Sequence, residues 1–186
     1  MFEPGLECQP CTHDSTFVDN ATVGVDSFDQ GGFGGAIAVV TYPGNPIGSV
    51  TLANDAFTAN STHSGPVYQD PECPGCSWDM RAGGAVFVGG AGAPTQIIGC
   101  TFTSNRTGDA PAGYDPSWPG SGMFSHGGAV YVSGATLTVT DSVFTDNATG
   151  TGTTGEAGLG GGKGGAIYGG ENTTRTVTGS SFTGNG

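Results

Sequence analysis

The residues of this chain that could do chemistry fall into four groups. Two Cys-x-x-Cys pairs, Cys8/Cys11 and Cys73/Cys76, sit in Pro-containing stretches, Glu-Cys-Gln-Pro-Cys and Glu-Cys-Pro-Gly-Cys. Four thiolates can hold zinc, but the 61 residues between the pairs far exceed a zinc-ribbon spacing. A redox dithiol needs a helix N-terminus behind its first Cys, and no helical pattern follows either pair. Disulfide staples of loops are therefore expected of Cys8, Cys11, Cys73 and Cys76, with the partners open. The fifth cysteine, Cys100, is expected to be a buried free thiol.

Carboxylates form the second group. Asp14 and Asp19, and again Asp141 and Asp146, are five positions apart, and glycoside cleavage needs two carboxylates acting as acid and base. A lyase site would need an Arg or Lys base beside a calcium cluster, and Arg106 lies in a loop next to Asp109. Acidic stretches at Asp26–Asp29 and Asp109–Asp115 could hold calcium. No Asp-x-Asp-x-Asp-Gly loop occurs, so no cofactor is expected and Ca2+ is the one ion left open. The third group, His13, His63 and His126, shares no spacing and reads as solvated loop histidines. The fourth is five N-glycosylation sequons, at Asn20, Asn60, Asn105, Asn147 and Asn172, a mark of exposed loops in secreted proteins.

The elements that must position these groups come from a repeat. Five Phe-x-x-Asn tetrads occur, Phe17–Asn20, Phe57–Asn60, Phe102–Asn105, Phe144–Asn147 and Phe182–Asn185, with successive Phe residues 40, 45, 42 and 38 positions apart. Gly-Gly-Ala triplets begin at Gly34, Gly83, Gly127 and Gly164, each followed by a short apolar run. A period in this range means stacked units, none of which buries its apolar face alone. Three positions before each Phe stand Asp14, Asn54, Gly99, Asp141 and Gly179. These types tolerate a left-handed backbone, so the column reads as a corner. Two before the Phe stand the small residues Ser15, Asp55, Cys100, Ser142 and Ser180, and five before stand Leu52, Ile97, Val139 and Val177, with Thr12 breaking the column at an edge rung.

Short alternating runs punctuated by Gly, Asn and Asp are strands. The 37 glycines in 186 residues also weaken any helix. Parallel stacking at ~4.8 Å predicts an all-β parallel β-solenoid of about two ~20-residue windings per repeat. In it the Phe residues stack and the Asn residues form a ladder between corners. Residues 1–13 then form a Cys-containing N-terminal segment or edge rung. Residues 14–186 form a single repeat domain with inserted loops at 61–82, 106–126 and 148–163. Tyr68, Trp78, Tyr114, Trp118 and Phe124 fall in those loops and are candidate contacts for a protein or a sugar.

Gly-Gly-Ala-Ile/Val paired with Phe-x-x-Asn resembles the repeats of chlamydial polymorphic outer-membrane proteins and of large extracellular proteins of algae and other protists. The resemblance spans about residues 14–186. It implies a right-handed β-helix and an adhesive or structural role at a cell surface. It carries no catalytic residue over to this chain.

Composition narrows the partners. Four cationic residues against 16 acidic ones give a net charge of −12, which excludes nucleic acid and anionic membrane surfaces. No apolar run is long enough to span a membrane. The N-terminus lacks the basic and apolar regions of a signal peptide, and the last tetrad stops within a repeat, so a segment of a longer secreted protein is expected. Uncapped solenoid ends invite pairing with other protein, by self-association or within a longer parent chain. The expected function is a non-enzymatic extracellular structural or adhesive β-helix, part of a surface or filament glycoprotein. The alternatives are a polysaccharide-binding or polysaccharide-cleaving β-helix, and an ice-binding one. The last rests on Thr136, Thr138 and Thr140 alternating with Leu137 and Val139, with Thr176, Thr178 and Thr51 near them and Gln96 and Ala53 as interruptions.

Overall fold

A computed structural model describes residues 11–22, 32–40, 48–62, 78–89, 93–109, 122–150 and 162–186. Within them the chain is all-β, with no helix and with every strand pair parallel. The strands are β1 (Cys11–His13), β2 (Thr16–Val18), β3 (Ile37–Val40), β4 (Val50–Ala53), β5 (Ala56–Thr58), β6 (Trp78–Ala82), β7 (Val86–Gly89) and β8 (Thr95–Ile98). They continue as β9 (Thr101–Thr103), β10 (Gly122–His126), β11 (Val130–Val132), β12 (Thr136–Thr140), β13 (Val143–Thr145), β14 (Ile167–Gly169), β15 (Thr174–Thr178) and β16 (Ser181–Thr183).

Three sheets run through the repeats in the same succession: β1-β4-β8-β12-β15, β2-β5-β9-β13-β16 and β3-β7-β11-β14. A two-stranded sheet, β6-β10, stands beside them. This arrangement is compatible with a β-solenoid. Its register joins whole repeats. Each strand pairs with its counterpart in the neighbouring repeat, as in Phe17↔Phe57, Phe57↔Phe102, Phe102↔Phe144 and Phe144↔Phe182. Among the described residues no pairing joins two halves of one repeat.

The core lies between the sheets, and period-2 alternation sends one column of side chains into it from each strand. Phe57, Phe102 and Phe144 are fully buried, as are Leu52, Ile97 and Val139 in the next column. The Phe rings stack in parallel, with centroids 4.7, 4.7, 4.7 and 4.8 Å apart from Phe17 to Phe182. That distance is the strand spacing itself, so ring stacking and ladder hydrogen bonding reinforce one another. The Gly-Gly-Ala triplet is equally specific. Its first Gly is left-handed, with φ of 65° at Gly83. At its second, a Cβ on Gly84 would collide with the Gly128 carbonyl and the Arg106 backbone of the next repeat. Its Ala is buried at Ala85 and Ala129.

Two expected loops end in strands: β6 covers the last five residues of 61–82, and β10 the last five of 106–126. Residues 11–13 pair with β4, so the first rung starts before residue 14, and Thr12 lies beside Leu52. Outside the main core a second column of rings, Phe87, Tyr131 and Tyr168, stacks at 5.1 and 5.7 Å.

Removal of a central ring leaves a void between two others, whereas the last ring is half exposed. Phe102→Ala is expected to cost about 3–5 kcal/mol and Phe182→Ala clearly less, measured by urea unfolding followed by circular dichroism.

Candidate functional site

The feature with the most organised chemistry is a spine of asparagines at the corner after β2, β5, β9, β13 and β16. Asn20, Asn60, Asn105 and Asn147 each donate Nδ2 to the Oδ1 of the next asparagine, at 2.8, 2.9, 2.9 and 2.9 Å. The backbone N–H of each donates to the same oxygen, at 3.1, 3.0, 3.0 and 3.0 Å. The second Nδ2 hydrogen goes back to a Phe carbonyl: Asn60 to Phe17, Asn105 to Phe57, Asn147 to Phe102 and Asn185 to Phe144. Asn60, Asn105 and Asn147 are fully buried. A buried amide with two donors and two acceptor sites has here both hydrogens and two acceptor positions engaged.

This geometry bears directly on the sequons. Asn60, Asn105 and Asn147 have no Nδ2 hydrogen or space left for a sugar in the folded chain. Asn20 is exposed at the first rung, and Asn172 is exposed in a turn with φ of 54°. The threonines of these sequons have structural work of their own. Thr62 Oγ1 accepts the Gly108 N–H and Thr107 Oγ1 accepts the Gly150 N–H, both at 2.9 Å.

A second column hydrogen-bonds between repeats two positions before each Phe. Buried Asp55 accepts from the Ser15 N–H, the Ala53 N–H and Thr12 Oγ1. Ser142 Oγ accepts the Cys100 N–H, and Ser180 Oγ accepts the Ser142 N–H. Cys100 is free and fully buried, its Sγ donating to the Ile98 carbonyl at 3.4 Å.

The carboxylate pairs are corner residues. Asp14 and Asp141 are left-handed before β2 and β13, and Asp19 and Asp146 are left-handed after them. Each pair is therefore separated by a three-residue strand, on the order of 15 Å of extended chain, against the ~5–9.5 Å of a glycosidase pair. The Asp141 and Asp146 carboxylates instead lie against the backbone of Gly179 and Gly184 in the next repeat. Arg106 Nη2 donates to Asp109 Oδ1 at 2.6 Å in a half-exposed ion pair.

His13 Nδ1 lies 2.6 Å from Asp14 Oδ2 and is exposed. His126 corrects the solvated-loop expectation. It closes β10 as a buried residue with its ring 4.4 Å from Tyr168, and burial lowers its pKa, with the Lys163 charge adding to the effect.

Cys11 is exposed at the start of β1. Cys8, Cys73, Cys76, His63, Tyr68, Tyr114 and Trp118 lie outside the described residues, as do Asp26–Asp29 and most of Asp109–Asp115. Trp78 and Phe124 belong to paired strands, opposite Gly122 and Met80. Among the described residues no group of three or more His, Cys, Asp or Glu is placed to hold a metal ion.

Three features escaped sequence reasoning. A second left-handed corner runs through Asp19, Ala59, Ser104, Asp146 and Gly184, disguised by Ala59 and Ser104. Arg81 is a fully buried arginine within an expected loop. Arg175 occupies the core column of Val50, Thr95 and Leu137, a departure that alignment on the Phe would have revealed.

No family model matches the chain, and no curated protein or solved structure matches it either.

Burial pushes the Cys100 thiol up, against the pull of backbone hydrogen bonding from Asp55. The folded chain thus holds this proton more tightly than the unfolded one. Its share of stability is complete below the unfolded thiol pKa of about 8.5 and is lost as pH rises from there through the raised folded pKa. Unfolding free energy is expected to fall from about pH 8.5 upward. Cys100→Ser, which copies Ser142 and Ser180, is expected to delay the fall, read from urea titrations across pH 7–11.

Proposed function

We propose that the chain is a non-enzymatic extracellular structural or adhesive protein, a right-handed parallel β-helix within a surface or filament glycoprotein. The observation that carries this reading is the asparagine spine, unbroken through five repeats and backed by the phenylalanine stack. A column in which each amide is hydrogen-bonded to the repeats on both sides resists separation along the axis, which is what a load-bearing rod needs.

The residues that an enzymatic reading would use support the same view. Asp14, Asp19, Asp141 and Asp146 serve the corners, and Asp55 serves the interior. The Gly-Gly-Ala and Phe-x-x-Asn resemblance to polymorphic outer-membrane repeats points to a cell surface. An oxidising compartment accords with a bonded Cys11, for which we propose a partner among Cys8, Cys73 and Cys76. Assembly with other protein along the sheet edges is part of this proposal.

Electron microscopy of the native material, with mass spectrometry of its Asn-containing peptides, tests the proposal. Regular filaments are expected, with a glycan on Asn172 and none on Asn60, Asn105 or Asn147. Discrete unglycosylated particles would overturn it. Because each chain carries a net charge of −12, association is also expected to strengthen as salt rises.

One observation favours a second reading, an ice-binding face. Thr58, Thr103, Thr145 and Thr183 stand in register on four successive strands and face outward beside the buried Phe column. Inhibition of ice recrystallisation by the wild type, lost in Thr103→Tyr, is the expected result under that reading; an inactive wild type ends it.

A further inference from the structure

We propose that His126 is an acid-sensitive latch: protonation of its imidazole releases the strip formed by Phe33, Ala82, His126 and Lys163 from the outer ring column, while the asparagine spine stays closed.

The strip is a ladder of its own. Phe33 pairs with Ala82, Ala82 with His126, and His126 with Lys163, all in parallel. Five positions further along the chain from each stand Ala38, Phe87, Tyr131 and Tyr168, which pair with one another in the sheet β3-β7-β11-β14. Each rung thus sets one strip residue beside one residue of the ring column. The Phe33 ring lies 4.3 Å from Phe87, and the His126 ring lies 4.4 Å from Tyr168. Val86, Val88, Val130 and Val132 alternate with the rings and fill the main core, so Phe87 and Tyr131 point to the other side of their sheet. There they are buried in a separate cluster with Ala82.

Charge makes His126 the weak point of the strip. Its imidazole is the member of this cluster that changes charge near neutral pH; Tyr131 and Tyr168 are the other titratable members, and both stay neutral there. Lys163 is its neighbour in the ladder on one side, and the fully buried Arg81 precedes its neighbour Ala82 on the other. An imidazolium would therefore stand among two of the four cationic residues of the chain. The Glu171 charge bears on Tyr131. Burial lowers the His126 pKa, a hydrogen bond with the Ser125 backbone opposes this in part, and the Lys163 charge lowers it further. The folded strip thus prefers the neutral ring. Its share of stability is complete above the unfolded histidine pKa of about 6.5 and is lost as pH falls from there through the lowered folded pKa.

The opening is local. The His126 carbonyl accepts the Gly83 N–H at 2.9 Å, and the Ser125 carbonyl accepts the Lys163 N–H at 3.2 Å, bonds that hold the strip alone. β6 and β10 form a sheet of two strands, and such a pair is marginal by itself. Neither the spine amides nor the phenylalanine stack carries a titratable group. Acid therefore uncovers Phe87 and Tyr131 as an apolar contact surface on a chain whose main core remains folded.

The test is hydrogen–deuterium exchange of the whole chain at pH 5 and pH 7.5, with each rate divided by the intrinsic rate at that pH. Protection of the β6 and β10 amides is expected to fall at pH 5, while that of β5, β9 and β13 is unchanged. His126→Phe is expected to abolish the pH dependence, and Lys163→Met to reduce it, because one source of repulsion is gone. Should His126→Phe misfold, the wild-type imidazole resonance decides, since titration of His126 must coincide with the loss of β6–β10 protection. Protection that is equal at the two pH values, that is lost equally in His126→Phe, or that is lost from all strands together overturns the latch.

Discussion

The structure depends on one constraint: a buried carboxamide must find partners for two N–H groups and for its oxygen inside the fold. Asn60, Asn105 and Asn147 meet it only if the neighbouring repeats present asparagine at the same level. Each group left unmade in the interior costs about 1–3 kcal/mol, so the ladder fixes register more firmly than apolar packing does. A one-residue slip of any strand would carry its Phe to the outer face and its Asn away from the column. From this follow the parallel pairing, the stacking of whole repeats on whole repeats, and the coincidence of ring spacing with strand spacing.

The constraint also explains where variation is allowed. Repeat lengths differ from 38 to 45 residues, yet the tetrad, its two left-handed corners and the residues facing the core keep their places in every rung. One residue of this change falls in the turn between β14 and β15, since Val132 pairs with Gly169 but Thr136 with Thr174. At the corners themselves little is free. Gly84 and Gly128 cannot accept a Cβ, because successive repeats approach there backbone to backbone. Alanine after them supplies the small apolar volume that the narrow interior permits. A stack of this kind spends its repeated residues on joining its own repeats.

Much of this was legible in the sequence where residue type encodes backbone geometry. Asp14, Asn54, Gly99, Asp141 and Gly179 announce a left-handed corner because few other types accept one, and all five have positive φ. The companion corner was not legible, because Ala59 and Ser104 adopt the same conformation under the pressure of their neighbours rather than by preference. The number of windings per repeat was not legible for a different reason. A period in sequence reports the length of the repeating unit, and only hydrogen-bond register says how many strands one passage through the sheets consumes. His126 and Arg81 read as polar loop residues, and their burial comes from the β6–β10 sheet, whose pairing partners are 44 positions apart and leave no local trace.

The sequons show how a folding requirement can imitate a modification signal. Phe-x-x-Asn supplies the ring and the amide, and Thr two residues later supplies an acceptor for the backbone of the next repeat, as Thr62 does for Gly108 and Thr107 for Gly150. The tripeptide Asn-x-Thr therefore arises here from two inter-repeat hydrogen bonds and needs no sugar to account for it. The ladder and a glycan use the same nitrogen, so a glycan on Asn105 would remove the donor to Asn147 and the space between two rungs at once. In a compartment that glycosylates nascent chains, closure of each rung on its predecessor protects the amide, and the order of folding from one repeat to the next becomes part of what keeps the spine intact.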